Sequence, residues 1–179
     1  TPAQVALPNS VFRELGARAV VLALAERLGL PLMVKPSRSG SALGCTKVER
    51  VEALPGAMVA AYAYGENAVI EQFIEGTEVA VTVIDTGDGP RALPAVEIRP
   101  RGGVYDYTAR YTAGETRFLC PAEISDADAR ECAELALSVH RQLGLRDLSR
   151  TDIIIGPQGP TFIETNVSPG MTETSLVPL

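Results

Sequence analysis

The sequence predicts an α+β fold built as two lobes with a cleft between them. Three observations carry this. The 179 residues are 46% hydrophobic and 21% charged, an ordinary balance with length enough for one substantial domain or two small lobes. The local patterns run helix, strand, glycine-rich loop, strand, helix, several strands, a long irregular segment, helix and a terminal hairpin, without regular βαβ alternation. No internal repeat or low-complexity tract interrupts that order.

Charge and cysteine usage narrow the function. The formal net charge is −6, and no basic stripe interleaved with aromatics is visible, so nothing favours nucleic acid. An acidic chain that takes an anionic ligand needs locally placed cations. Cys45, Cys120 and Cys132 form no CxxC pair and no zinc pattern with His140, the only histidine, and read as reduced thiols. No apolar run is long enough to span a membrane, and no signal peptide is visible. The opening TPAQVALP reads as linker, so the chain is expected to be part of something longer.

In chain order, residues 1–10 read as extended. A helix is expected over 17–28, ended by Gly29 and Pro31. Leu32-Met33-Val34-Lys35 is a short buried strand that ends in a charge. The loop after it, residues 36–44, is rich in serine and glycine. Its backbone N–H groups could close around an anion, although a surface turn is the commoner explanation of such a loop. Lys35 at its base says more, because burying an unpaired ammonium is costly. Residues 46–50 read as a strand pairing back, and 52–64 as a helix interrupted at Pro55-Gly56. Strands are expected over 68–74, 79–84 and 92–98, with turns at 75–78 and 86–90. Residues 99–123 carry three tyrosines and little periodicity, and read as a lid or substrate loop. Ser125 opens a second helix whose stripe is Cys132, Leu135, Ala136, Val139 and Leu143, with His140 beside it in a structural or solvated role.

The terminal hairpin gathers the most chemistry. Strands over 150–155 and 160–164 flank Gly156-Pro157-Gln158-Gly159, which suits a three-residue loop closed by a bulge. With Gly156 facing Pro160, Asp152 falls opposite Glu164 and Arg150 opposite Asn166. Residues two apart share a face, so one face presents Arg150, Asp152, Glu164 and Asn166. Three oxygen donors beside a guanidinium suit a hard cation and an anionic ligand, whereas the plain alternative is an exposed hairpin with charged strand ends. The tight turn 168–172, with a backbone donor at Gly170, follows directly.

Four stretches in this order resemble the ATP-grasp superfamily and, within it, the D-alanine–D-alanine ligase family. They are VKPSRSGSALGCTKV, VIEQFIEGTEVAV, VYDYTARYTAGETRFLCPAEI and RTDIII…FIETNVSPGMTETSLVP. The first two are common to many ATP-grasp proteins, and the last two are specific to this branch. The resemblance covers nearly the whole chain. It implies a smaller lobe over 1–74, a larger lobe over 75–179, nucleotide in the cleft between them, and a further N-terminal substrate domain that this chain lacks.

The resemblance also implies roles. Lys35 holds ATP phosphates, with Arg110 on the mobile loop. Ser41 orients the first amino acid, with Tyr105 and Tyr111 over the site. Glu71, Phe73 and Ile74 line the adenine pocket, and Glu78 takes the ribose. Asp152, Glu164 and Asn166 hold two magnesium ions, or manganese in their place. Arg150 and the Gly170 N–H stabilise an oxyanion, and Ser175 and Leu176 seat the second substrate's carboxylate. The implied activity joins two D-alanine molecules at the cost of ATP, for peptidoglycan, cell-wall biogenesis and cell shape. The implied setting is cytoplasmic, with ATP and D-alanine as small-molecule partners and a homodimer at full length.

Two residues depart from the family pattern. Arg110 stands where lysine is usual, and Ala42 where a second serine is usual. Without the N-terminal domain the chain alone is expected not to complete ligation. The alternatives are a related ligase with D-lactate, D-serine or another amino acid as second substrate, or a nucleotide-binding module that has lost catalysis. Retention of Arg150, Asp152, Glu164 and Asn166 weighs against the second of these.

Overall fold

Alternation of buried and open positions along short strands builds two antiparallel sheets, each with its helices on one face. The computed structural model describes residues 1–172 and 175–178. Contacts divide the chain into two units, Pro2–Phe73 with Val104–Thr112, and Ile74–Gly103 with Thr1 and Ala113–Leu179. Wholly antiparallel pairing with segregated helices is the α+β arrangement that the element order predicts.

The first unit begins with β1 (Gln4–Pro8), α1 (Asn9–Leu15) and α2 (Ala17–Leu28). It continues through β2 (Leu32–Pro36), β3 (Thr46–Val48), a 3-10 turn (Val51–Ala53), α3 (Leu54–Tyr62) and β4 (Asn67–Gln72). The sheet order is β1-β4-β2-β3. Helical spacing puts Val20, Val21, Leu24 and Leu28 of α2, and Leu54, Ala57, Met58 and Ala61 of α3, into one core with Leu32, Val34, Val48, Ala68 and Ile70 of the sheet. Two expectations change here. Helix α1 occupies residues whose start was read as extended. Pro55 lies in the first turn of α3, where a missing N–H costs nothing, so Pro55-Gly56 opens the helix instead of interrupting it.

The second unit holds β5 (Thr77–Ile84), β6 (Arg91–Ala92), β7 (Val96–Pro100), β8 (Thr116–Leu119), α5 (Asp126–Gln142), β9 (Leu148–Gly156) and β10 (Gly159–Asn166). Its sheet runs β10-β9-β5-β7-β8, with β6 on β5. Ser125 caps α5, accepting from the Asp128 N–H at 3.1 Å. Cys132 and Ala136 then pack on Val79, Val81, Val83 and Ile153. Leu143 is 59% exposed, past the end of the stripe it was expected to continue. His140 is buried instead, its Nδ1 2.8 Å from Ser149 Oγ, which makes it structural.

The segment 99–123 is more regular than its sequence suggests. Ladder pairs Glu97 to Leu119 and Pro100 to Thr116 bind β7 to β8, and the sequence between the two strands forms the short helix α4 (Tyr107–Tyr111), which belongs to the first unit. Weak local patterning is overridden by pairing with a neighbouring strand. Among the described residues no helix is long and apolar enough to cross a membrane.

A Cβ on Gly76 would lie 2.2 Å from the Ile155 carbonyl oxygen, a backbone atom that cannot swing away. Gly76→Ala should therefore destabilise the chain by roughly 2–3 kcal/mol, read by urea unfolding. Burial raises the Cys132 thiol to about 11, helped by the nearby charges of Asp128 and Glu131. The protonated thiol is the stable form, so its contribution to stability is complete below the ordinary thiol range and declines as pH rises toward about 11. A thiol reagent at pH 8 should label exposed Cys120 and leave Cys132 unmodified until the chain unfolds.

Candidate functional site

In the second unit Ile153 packs against α5, so its strand neighbours Arg150 and Asp152 belong to the opposite face. Cross-strand partners share a face, which adds Glu164 (opposite Asp152) and Asn166 (opposite Arg150) from β10, and Glu78 from β5, whose partner is Ile154. The pairs are the expected ones, but the route to them differs. Gly156 pairs with Gly159, leaving a two-residue loop, and Gly159 takes φ +95°. The register shift lies between Phe162 and Glu164, at Ile163. A bulge placed inside β10, not at the turn, restores the register.

Arg150 and Asp152 are both buried and form a two-pronged ion pair, Nε to Oδ1 at 2.7 Å and Nη2 to Oδ2 at 2.8 Å. Asn166 Nδ2 donates to Asp152 Oδ2 at 3.3 Å. Glu164 is exposed beside them. Two carboxylates and an amide give hard oxygen donors, so this face fits a divalent cation by its chemistry. Glu78 is a third acidic residue on the face, but among the described residues no three His, Cys, Asp or Glu gather closely enough to hold a metal ion.

In the first unit the face away from the helices carries Met33 and Lys35 of β2, Lys47 of β3, and Val69 and Glu71 of β4. Lys35 Nζ donates to Glu71 at 2.8 Å, and the carboxylate is buried. That pairing answers the cost of a lysine at the end of a buried strand. Lys47 carries no site signal of its own in the sequence, yet its ammonium sits 4.5 Å from the centre of the Phe73 ring. The available signal was strand period: Lys47 pairs with Met33, two residues before Lys35, and so shares its face.

The loop after β2 brings a distant pair together. Ser41 Oγ lies 2.6 Å from the Tyr111 hydroxyl, 70 residues away in sequence. Tyr111 is the last residue of α4, which Asp106 caps by accepting from the Ala109 N–H at 2.9 Å. Arg110 lies over the Tyr105 ring at 4.1 Å, and its Nε donates to the Tyr105 carbonyl at 3.4 Å.

Past β10, Ser175 closes on the preceding turn. Its N–H donates to the Thr172 carbonyl at 2.8 Å, and its Oγ accepts from the Thr172 N–H at 3.1 Å. Gly170 faces this Oγ so closely that an added Cβ would lie 2.7 Å from it. Leu176 is buried. Phe73 ends the first unit, donating its N–H to the Pro31 carbonyl at 3.1 Å, and Ile74 opens the second, packed on Gly156.

Comparison with known proteins gives this geometry a family. Residues 9–179 match the family described as D-ala D-ala ligase C-terminus. A D-alanine--D-alanine ligase of Bordetella petrii is 40% identical over 177 residues, 98% of this chain and 54% of that protein. One of Nitrosomonas europaea is 45% identical over 157 residues, 87% of this chain and 50% of that protein. The solved VanG D-Ala:D-Ser ligase of Enterococcus faecalis is 30% identical with a TM-score of 0.82, covering 98% of this chain and 50% of that one. The D-alanyl-alanine synthetase A of Vibrio cholerae, at 24% identity, shares the fold with a TM-score of 0.82 over 99% of this chain and 54% of that one. The chain spans about half the length of the curated relatives it matches. It belongs to the D-alanine–D-alanine ligase family and corresponds to the C-terminal, ATP-grasp part of those enzymes.

Proposed function

We propose that this chain supplies the ATP-binding and ligating part of an enzyme that joins two D-alanine molecules through an acylphosphate, releasing ADP and phosphate. The dipeptide would serve peptidoglycan synthesis. The observation that carries the reading is the face where Arg150 and Asp152 pair beneath Asn166, with Glu164 alongside. The cleft expected between lobes 1–74 and 75–179 belongs to the same proposal, as does a homodimer at full length.

Each residue has a task in this reading. Lys35, steadied by Glu71, offers one ammonium to the ATP phosphates, and Arg110 a second cation. Glu71, Phe73 and Ile74 border the adenine and Glu78 the ribose. Asp152, Glu164 and Asn166 would hold magnesium, which when bound would neutralise phosphate oxygens. Phosphoryl transfer asks for such positioning more than for covalent help from protein. Ser41 and Tyr111, joined at 2.6 Å, would orient the first amino acid, with Tyr105 nearby. The second amine then attacks the acyl carbon, and phosphate leaves. Arg150 and the Gly170 N–H would stabilise the oxygen that becomes negative. Ser175 and Leu176 would seat the second carboxylate.

A second reading keeps the chemistry and changes the second substrate to D-serine or another acid. Likeness to a D-Ala:D-Ser ligase favours it.

Phosphate release from Mg-ATP, measured in the polypeptide that carries this chain, tests both. D-alanine should stimulate release, and Glu164→Gln should cut it by about 100-fold or more while the Tm stays within a few degrees. Stimulation by D-serine with D-alanine, but not by D-alanine alone, would select the second reading. ATP binding with no stimulation by any amino or hydroxy acid would overturn both. Arg150→Lys should also lower kcat, by about 10- to 100-fold, since an ammonium cannot keep the two-pronged contact with Asp152.

A further inference from the structure

The glycine-rich loop has a backbone that its own bonds do not explain. Ser41 and Ala42 both have φ of 56° and Gly44 has 74°, so the left-handed region is occupied at three positions, two of them with side chains. Such backbone persists only where surroundings over-determine it. Inside the loop, the Leu43 N–H donates to Gly40 O at 3.1 Å, the Cys45 N–H to Ala42 O at 3.2 Å, and Ser39 Oγ to Leu43 O at 3.1 Å. These bonds shape the turn but do not fix its place against the sheet.

Contacts from outside do. At its entry the Ser37 N–H donates to the Asn67 carbonyl of β4 at 2.9 Å. Further along, Tyr111 meets Ser41, and Tyr64 meets Gly44. A Cβ on Gly44 would lie 2.7 Å from Tyr64 Cδ2, 3.0 Å from Cε2 and 2.9 Å from Pro36 Cγ. The tyrosine ring therefore lies directly on the Gly44 backbone, at the spot where Pro36 closes from the other end of the loop. Tyr64 follows α3, with its N–H on the Ala61 carbonyl at 3.1 Å, and Leu54, Met58 and Ala61 root that helix in the core. The ring is 49% exposed and lies outside the buried core. Scattered exposed aromatics need no explanation, but one set against a left-handed glycine of this turn does.

We propose that Tyr64 is a positioning residue for the glycine-rich loop and, through it, for the phosphate end of the nucleotide. The nucleotide half rests on the reading given under Proposed function; the loop half stands without it. The ring, not the hydroxyl, does the bracing.

Trypsin tests the loop half in the chain as it is. Arg38 is exposed within the loop, and Arg130 is exposed on α5 as an internal reference. Tyr64→Ala should speed cleavage after Arg38 about tenfold relative to Arg130, read by mass spectrometry, while Tyr64→Phe matches the wild type. Equal acceleration at both sites, or none at Arg38, would overturn it. Calorimetry with a non-hydrolysable Mg-ATP analogue and with adenosine tests the nucleotide half. Tyr64→Ala should weaken the analogue about tenfold and leave adenosine unchanged, with Tyr64→Phe restoring the analogue. Equal loss of both ligands, or of neither, would overturn that half. Wild-type chain that binds neither ligand would sink the nucleotide reading itself, while the trypsin result still decides the loop.

Discussion

A guanidinium and a carboxylate buried side by side on one strand set the terms for the rest of the hairpin. Arg150 and Asp152 are taken from water together, and each makes the other's burial tolerable. Removing one partner of such a pair leaves a buried charge and typically costs about 3–5 kcal/mol. Strand period then dictates the remainder. Thr151 and Ile153 must point to α5, so the charged pair, Glu164, Asn166 and Glu78 collect on the other face. The first unit repeats the scheme with Lys35 and Glu71 opposite its helices. An apolar pair would satisfy packing at lower cost, so packing alone does not account for two charged pairs on the faces away from the helices.

The sequence made most of this legible because periods of two and of 3.6 are visible in it. The bounds of α2, the cap on α5 and the cross-strand pairs Asp152–Glu164 and Arg150–Asn166 match the reading. The hairpin turn does not. The loop 156–159 suits a closing bulge by its composition, yet Ile163 carries it, because a bulge within a strand leaves no composition signal comparable to glycine in a turn. Residues 99–123 looked irregular since β8 takes its order from β7, a partner seen only after folding. Helix α1 is seven residues long and follows Pro8, too short for periodicity to reveal. Lys47 over Phe73 and Tyr64 on Gly44 are tertiary meetings, and no local pattern announces either.

The two departures from the family pattern now have surroundings. Arg110 lies 4.1 Å over the Tyr105 ring while its Nε donates to the Tyr105 carbonyl, and a lysine has no Nε–H to repeat that second contact. Ala42 keeps a left-handed backbone without the hydroxyl usual there, so its N–H remains as the polar group at that position. Neither change disturbs the Arg150–Asp152 pair, and both lie in the first unit with Ser41 and Tyr111. In the proposed reaction the substitutions would bear on how phosphate and the first amino acid are held, and not on the hairpin face.

The claim most exposed to test is that the hairpin face binds a divalent cation through Asp152, Glu164 and Asn166. Crystals grown with manganese and a non-hydrolysable ATP analogue, measured at the manganese absorption edge, address it directly. The account predicts an anomalous peak within about 2.0–2.4 Å of oxygens from those three residues. A nucleotide bound with its manganese elsewhere, or with no manganese on that face, would contradict it.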